Sequence, residues 1–190
     1  VIKRNERLFI MVDLDDTRTD VLEISLVNKK LALRSFDQPL EQFEDLGGIK
    51  SNSYLHEDRI YQVAVSIDKL VLDIKNYGTG ASIKSFEVNR DDEDISFKNT
   101  PIIQLGGAYE DYRELDKTRQ LLRKMSNSFP GVAVYRYNEQ LEITVGGSKE
   151  MPNYGMGGML MGGVSMGTVN MGGVSVDLGF QPFYNPYFMS

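Results

Sequence analysis

Short segments in which every second residue is apolar, separated by turn-forming residues, recur through most of the chain. In "DVLEISLV", Leu22, Ile24 and Leu26 share one face, while Glu23 and Ser25 share the other. A period of two is typical of a β-strand with one buried face. "NKK" interrupts this pattern and "LALRSF" resumes it, so residues 21–36 are predicted to form a hairpin.

The same type of pattern predicts further strands and hairpins. Asp68 and Lys69 are the expected turn between two of them, and Asn138 and Glu139 the expected turn between two others. "DQPLEQFEDLGGIKSNS" predicts a loop or short helix that ends at Gly47 and Gly48. The predicted strands are "RLFIMVDL", "RIYQVAVSI", "KLVLDIKNY", "IKSFEV", "DISFKN", "GVAVYRY" and "QLEITV".

One segment has the spacing of a helix. An amphipathic helix repeats its apolar residues every three or four positions, and "FPG" at residues 129–131 is a stop signal. The fold class predicted is therefore α+β, mainly antiparallel β as hairpins, a meander or a sandwich-like arrangement, with one principal amphipathic helix. From Ala108 onward, the apolar positions of this helix are Tyr112, Leu115, Leu122, Met125 and Phe129.

Composition excludes several classes of function. The net charge is −6 and the pI about 4.9, whereas binding to nucleic acid or to anionic membranes needs a basic surface. The chain has no cysteine and a single histidine, His56, which opposes disulfides, thiol chemistry and the usual zinc sites. We expect no cofactor and no nucleic-acid partner.

The first residue is Val1 rather than methionine. Removal of a leader peptide is one interpretation, and trimming of the chain is the other. The first interpretation predicts an extracytoplasmic protein of the periplasm, outer membrane or cell surface.

"FIMVDLDDT" resembles the opening motif of haloacid-dehalogenase-type phosphatases, because four apolar residues precede a pair of aspartates. The resemblance implies that Asp13 is the nucleophile and Asp15 the acid/base, with a bound magnesium. In that family a helix follows within a parallel α/β unit, whereas here "DVLEISLV" alternates like a strand. The alternative is an acidic hairpin turn after a buried strand.

A second resemblance begins at "IIQLGGAYEDYRELDKTRQLL", which is similar to the start of a SPOR-type peptidoglycan-binding repeat. The resemblance implies a strand, a helix and then the strand "VAVYRY", with peptidoglycan as ligand. The alternative is the same order of elements in an unrelated α+β core. The matching residues are Gln104, Leu105, Gly106, Ala108 and Tyr109.

Two other polar features have simple interpretations. "NRDDED" places Asp91, Asp92, Glu93 and Asp94 together, but it lacks the ligand spacing and central glycine of an EF-hand loop. We interpret it as a solvated turn, with calcium binding as the alternative. His56 lies in the polar segment "YLHEDR" and is expected to be exposed.

A change of composition divides the chain. We predict a β-rich globular body at residues 1–146, a linker at 147–153 and a glycine- and methionine-rich tail at 154–190. No charged residue stands between Glu150 and Asp177, and Met156, Met161, Met166 and Met171 follow a five-residue rhythm. That period matches neither a helix nor a strand.

Several interpretations of the tail remain open. A pentapeptide solenoid needs more turns to bury a core. Residues 154–176 are long enough for a membrane-spanning helix, although each glycine costs about 1 kcal/mol in a helix. Met156, Met159 and Met161 offer thioethers for Cu(I), and a flexible low-complexity appendage is the simplest alternative.

The last residues, "FQPFYNPYFMS", combine five aromatic side chains with two prolines. Aromatic groups fill pockets on partners, and prolines restrict the unbound chain. We therefore predict that the tail docks on a partner. The predicted partner-binding residues are Met156, Met159, Met161, Met166, Met171, Phe180, Phe183, Tyr184, Tyr187 and Phe188.

Together these features favour a non-catalytic structural or interaction subunit of a protein assembly in a bacterial envelope or surface complex. The expected partner is a protein, either a membrane protein or further copies of the chain, with membrane contact through the tail. The alternative function is a self-assembling virion-type structural protein. A magnesium-dependent phosphatase and a peptidoglycan binder follow only from the two resemblances.

Overall fold

The structure is a computed structural model that describes residues 1–106, 111–137, 140–150, 161–165, 168–171 and 174–177. In these residues, antiparallel strands dominate and a single α-helix is present. The predicted fold class, mainly antiparallel β with one helix, is confirmed.

The first sheet, called sheet I, is a meander in which neighbouring strands in the chain pair with one another. The third and fourth strands of sheet I pair with each other and confirm the hairpin predicted at residues 21–36. A tight turn joins the second and third strands, with Asp15 and Asp16 in the left-handed region at φ 48° and 54°. The strands are β1 (Ile2–Arg4), β2 (Arg7–Leu14), β3 (Arg18–Ser25) and β4 (Lys30–Asp37).

The second sheet, sheet II, is a meander of the same form. Three of its strands were predicted, but the first was wrongly assigned to a loop. Its segment "KSNSYLH" has few residues of high strand propensity, and pairing with the next strand defines it instead. The strands are β5 (Lys50–His56), β6 (Arg59–Val65), β7 (Lys69–Asn76) and β8 (Ser82–Asn89).

The predicted strand "DISFKN" is wrong. Asp94 Oδ1 accepts hydrogen bonds from the amide of Ile95 and from Lys98 Nζ, at 2.9 and 2.6 Å, which fold the segment into turns. "IKSFEV" pairs on one side with β7 and, in the described part of the chain, forms the edge of sheet II.

A third sheet, sheet III, contains the remaining strands. The long strand of the predicted C-terminal hairpin pairs along one side with its hairpin partner, and along the other with two short strands from the glycine-rich segment. The strands are β9 (Ile103–Gly106), β10 (Asp111–Glu114), β11 (Phe129–Tyr137), β12 (Gln140–Glu150), β13 (Met161–Ser165), β14 (Thr168–Met171) and β15 (Val174–Asp177).

The linker predicted at 147–153 needs correction. Residues 147–150 continue β12, where Gly147 lies opposite Pro130 and Val164; residues 151–153 lie outside the described residues. Glycine predicted a break here, but a strand tolerates it where another backbone approaches closely. The described parts of the predicted tail are strands of the same sheet as β9 and β12.

The helix is shorter than predicted. It spans Thr118–Ser126 (α1), while residues 111–114 form β10 and Phe129 begins β11 with an exposed side chain. Leu115 is buried but precedes the helix, because its amide bonds to Ile102 O and thus extends the β9–β10 pairing. Tyr112 and Leu115 are three positions apart, which is helical spacing, but pairing with β9 and Ile102 determines the structure of this segment.

Gly147 provides a test of the continuous strand. A Cβ at this position would overlap Ser128 Oγ, which donates to Met125 O at the end of α1. We expect Gly147→Ala to lower the free energy of unfolding by about 1–3 kcal/mol in urea titrations. Adding Ser128→Ala should recover part of the loss, since it removes the overlapping oxygen. A neutral Gly147→Ala would contradict this packing and favour a flexible linker.

Candidate functional site

Sheets I and II pack face to face around an aromatic cluster. The face of sheet I that contains Phe9, Val21 and Phe36 covers Leu55 and Ile60 of sheet II. The ring of Tyr77, just after β7, lies 6.0 Å from that of Phe9 and 5.6 Å from that of Phe36. We call this covered side the inner face of sheet I.

A buried polar cluster lies beside these aromatic rings. Thr19, fully buried, donates from Oγ1 to Asp13 Oδ1 at 2.6 Å and accepts from the side-chain amides of Gln38 and Gln62 at 3.0 and 3.1 Å. Its hydroxyl also contacts Ser53 Oγ. Because Asp13 and Thr19 belong to sheet I and Ser53 and Gln62 to sheet II, the cluster fixes how the two sheets align.

These contacts show where the two aspartates of the phosphatase-like motif lie. Asp13 is a hydrogen-bond acceptor in the cluster, and Asp15 is exposed in the β2–β3 turn. β3 follows β2 as an antiparallel partner, so the parallel α/β unit implied by the phosphatase resemblance is wrong. Asp16 accepts from the amide of Ser51 at 2.6 Å and thereby ties this turn to sheet II.

The acidic run follows β8, and groups close to it in the chain donate hydrogen bonds to two of its carboxylates. Asp92 accepts from the amide of Asn89 at 2.7 Å. The hydrogen bond from Lys98 Nζ, together with the amide of Ile95, lowers the pKa of Asp94 below its ordinary value. Among the described residues, no group of three or more metal-ligating side chains converges here or elsewhere.

His56 is not the exposed loop residue that was predicted. It ends β5, only 21% of its side chain is exposed, and its Nε2 has no hydrogen-bond partner among the residues that the structure describes. Burial lowers the pKa of His56 below its ordinary value of 6.5, and Arg136 lowers it further, whereas Glu57 opposes the shift. The neutral imidazole is the favoured form in the folded protein.

This burial makes stability depend on pH. Because the folded-state pKa of His56 is lowered, its contribution is present above pH 6.5 and is lost as pH falls through the lowered value. We expect the difference in unfolding free energy between the natural protein and His56→Gln to shrink from pH 7.5 to pH 5. Urea titrations at both pH values measure it, and a constant difference would contradict the burial of His56.

The predicted partner-binding residues fall mostly outside the described residues. Met161 begins β13 opposite Glu150, and Met171 ends β14 opposite Val174. Outside lie Met156, Met159, Met166, Phe180, Phe183, Tyr184, Tyr187 and Phe188.

The structure has strands where two interpretations of the sequence, the membrane-spanning helix and the SPOR-like repeat, imply a helix. Between residues 154 and 176 the described segments are strands, not parts of a spanning helix. In the SPOR-like segment, Gln104, Leu105 and Gly106 belong to β9, which β10 follows where a helix was implied; Ala108 and Tyr109 lie outside the described residues. Within the described part of the chain, no helix has the length and apolar character needed to cross a membrane.

The side of sheet I opposite the inner face carries a continuous aliphatic surface. Strand register aligns Ile10, Leu22 and Leu33 in one row across β2, β3 and β4. The adjacent row contains Leu8, Ile24 and Leu31. We call this surface, together with Val12, the outer face of sheet I.

The outer face of sheet I is accessible to solvent. Leu31 is 66% exposed, Leu33 61% and Val12 46%, and the other four side chains are half-buried. Beyond the aliphatic rows, Arg18 and Asp20 form an ion pair at 3.0 Å that marks a polar end of the same face. Contiguous exposed apolar surface on a sheet marks a site of interaction or aggregation.

The sequence contained a partial signal for this surface. Alternation correctly placed Leu22 and Ile24 on one face, but it could not say whether that face is the covered one. On β2, both faces are apolar, with Phe9 and Met11 on one and Ile10 and Val12 on the other. A strand that is apolar on both faces is expected between two layers, which is the clue that sequence reasoning missed.

No protein-family model, curated protein or solved structure matches this chain.

Proposed function

We propose that the chain is a non-catalytic structural or interaction component of a protein assembly, and that the outer face of sheet I is an assembly surface. The observation that carries this proposal is the set of seven aliphatic side chains arranged in adjacent rows on a regular sheet. Burying an exposed side chain of this size contributes about 1.5–3 kcal/mol. A partner that covers several of them gains substantial binding free energy.

The shape of the surface supports a protein partner. Three paired strands hold the aliphatic groups on a regular backbone, so little conformational entropy is lost on binding. The paired charges of Arg18 and Asp20 border the apolar rows, as the polar rim borders the core of a protein interface. An acidic chain with this surface has little attraction for nucleic acid or anionic lipid.

The glycine- and methionine-rich segment supplies a second contact in this proposal. Phe183, Tyr184, Tyr187 and Phe188 would act as aromatic anchors on the partner. The residue composition of this segment favours a location in a bacterial envelope or surface complex. Self-assembly of the chain is the alternative, and the mass of the complex distinguishes the two.

The test is the mass of the natural complex, measured by light scattering after purification from its own cells. We expect the natural protein to elute well above its monomer mass of 21.5 kDa. The double variant Leu31→Lys, Leu33→Lys should elute as a monomer, because two ammonium groups cannot be buried in an apolar interface. Its unfolding temperature should remain close to that of the natural protein, since both positions are exposed.

Leu46→Lys is the matched control. Leu46 is 61% exposed but lies between sheets I and II in the chain, so this variant should retain the large complex. A complex that contains only copies of this chain would support the self-assembling alternative. Monomers for all three proteins would show that the proposed function is wrong.

A further inference from the structure

Sheets I and II are two copies of one structural repeat. In the first turn of each, one residue has a left-handed backbone: Asn5 at φ 50° in sheet I and Glu57 at φ 53° in sheet II. The amide after the third strand bonds back to the carbonyl that follows this residue, from Leu26 to Glu6 in sheet I, at 2.8 Å. In sheet II the same bond joins Tyr77 to Asp58, also at 2.8 Å.

These matching bonds fix which residues of the two sheets are equivalent. Phe9 in sheet I corresponds to Tyr61 in sheet II, since each lies three positions after the carbonyl that accepts the bond. Short stretches of sequence agree with this, because "NERLF" at residues 5–9 aligns with "EDRIY" at 57–61. Similar segments at a fixed separation of about 50 residues are typical of repeat architectures.

The equivalence identifies corresponding faces. The outer-face residues Leu8, Ile10 and Val12 correspond to Ile60, Gln62 and Ala64 of sheet II. These three are buried, and the inner face of sheet I with the segment at 38–49 covers them. The side of sheet II that carries Tyr61 packs in turn on α1 and sheet III.

The packing is therefore head to tail. Sheet I buries the face that carries Phe9 against sheet II, and sheet II buries the face that carries Tyr61 against α1 and sheet III. Sheet I covers the face of sheet II that carries Ile60. The equivalent face of sheet I is its outer face, and no element in the described part of the chain covers that face. A head-to-tail contact is heterologous, so it continues in one direction rather than closing as a symmetric pair.

We propose that a further four-stranded antiparallel sheet of this same repeat covers the outer face of sheet I, with its Phe9-equivalent face as the contact. This inference rests on the proposed function, because it says which kind of protein layer covers the proposed assembly surface. β-Propellers are built from such four-stranded sheets. Sheets I and II of a second copy cannot supply the contact, because their corresponding faces are already buried.

The residues of the outer face also define the chemistry of that sheet. Gln62 of sheet II donates to Thr19 of sheet I, but its equivalent on the outer face is Ile10, which cannot hydrogen-bond. A threonine opposite Ile10 would lose the hydrogen bond that Gln62 donates to Thr19, and its hydroxyl would lie against an apolar side chain. The covering sheet therefore carries an apolar residue where sheet I has Thr19.

Site-specific photocrosslinking tests this proposal. Benzoylphenylalanine replaces Leu33 in the full protein in its own cells, and the crosslinked peptide is sequenced after irradiation. We expect a peptide from a four-stranded repeat of about 50 residues, crosslinked through the face equivalent to Phe9. The probe at exposed Asp91, after β8, is the control and should not yield that peptide.

Adding Leu31→Lys to the Leu33 probe should abolish the crosslink without lowering the unfolding temperature. Crosslinks to lipid, to the outer face of a second copy, to a protein segment without the repeat, or to nothing would overturn the inference. If the protein still forms a large complex in those cases, the proposed function survives. If the crosslinked repeat lies in the same polypeptide and no large complex forms, the inference stands and the proposed function fails.

Discussion

Replacing Leu122 by aspartate is expected to abolish cooperative folding, or to reduce the free energy of unfolding by about 4 kcal/mol or more. Leu122 is fully buried in the core cluster that α1 shares with sheets II and III. An aspartate there would bury a carboxylate among apolar side chains, and that charge would have no partner to offset its desolvation. Circular dichroism during urea titration measures the loss.

The matched control is Arg119→Asp on the same helix. Arg119 is exposed and lies in the first turn of α1, where a negative charge interacts favourably with the helix dipole. Stability should therefore change by less than about 0.5 kcal/mol. If both variants lose equal and small amounts of stability, α1 does not pack by the described face.

The second large effect is expected from Thr19→Val. Valine has nearly the same shape as threonine, but it removes the hydroxyl that joins Asp13, Gln38 and Gln62. Buried polar groups left without partners cost about 1–3 kcal/mol each. We expect a total loss of roughly 2–4 kcal/mol, since some of these groups can still bond to one another.

Thr17→Val supplies the comparison for this cluster. Thr17 is exposed in the β2–β3 turn, and its hydroxyl lies 3.4 Å from Leu14 O. Its replacement should change the free energy of unfolding by less than about 0.5 kcal/mol. Equal stability for both variants would mean that the buried cluster does not hold sheets I and II together.

Alternation and turn residues predicted much of the strand order, because both act over a few neighbouring residues. The hairpin at 21–36 and the strands β6 and β7 follow directly from them. β5 could not be predicted in this way, since "KSNSYLH" becomes a strand only through its partner β6. The helix was predicted too long because Leu115, at helical spacing, belongs to the end of β10 pairing.

The polar cluster and the outer face depend on contacts between distant parts of the chain. Thr19 meets Gln62 across 43 positions of sequence, and no local pattern distinguishes either from an ordinary surface residue. Apolar residues on both sides of β2 indicated two covered faces, and only the packing of sheet I on sheet II shows which one is open. The repeat that relates Phe9 to Tyr61 has only a short signature in the sequence, "NERLF" and "EDRIY", and strand patterns alone do not identify it.

Carbene footprinting shows whether a partner covers the outer face of sheet I. Labelling of Leu31 and Leu33 is compared between the purified chain and the natural complex, with exposed Ile67 in the β6–β7 turn as the internal reference. If a partner covers this face, both leucines are labelled strongly in the isolated chain and lose most of that labelling in the complex, while the labelling of Ile67 is unchanged. Equal labelling of Leu31 and Leu33 in the two samples would contradict it.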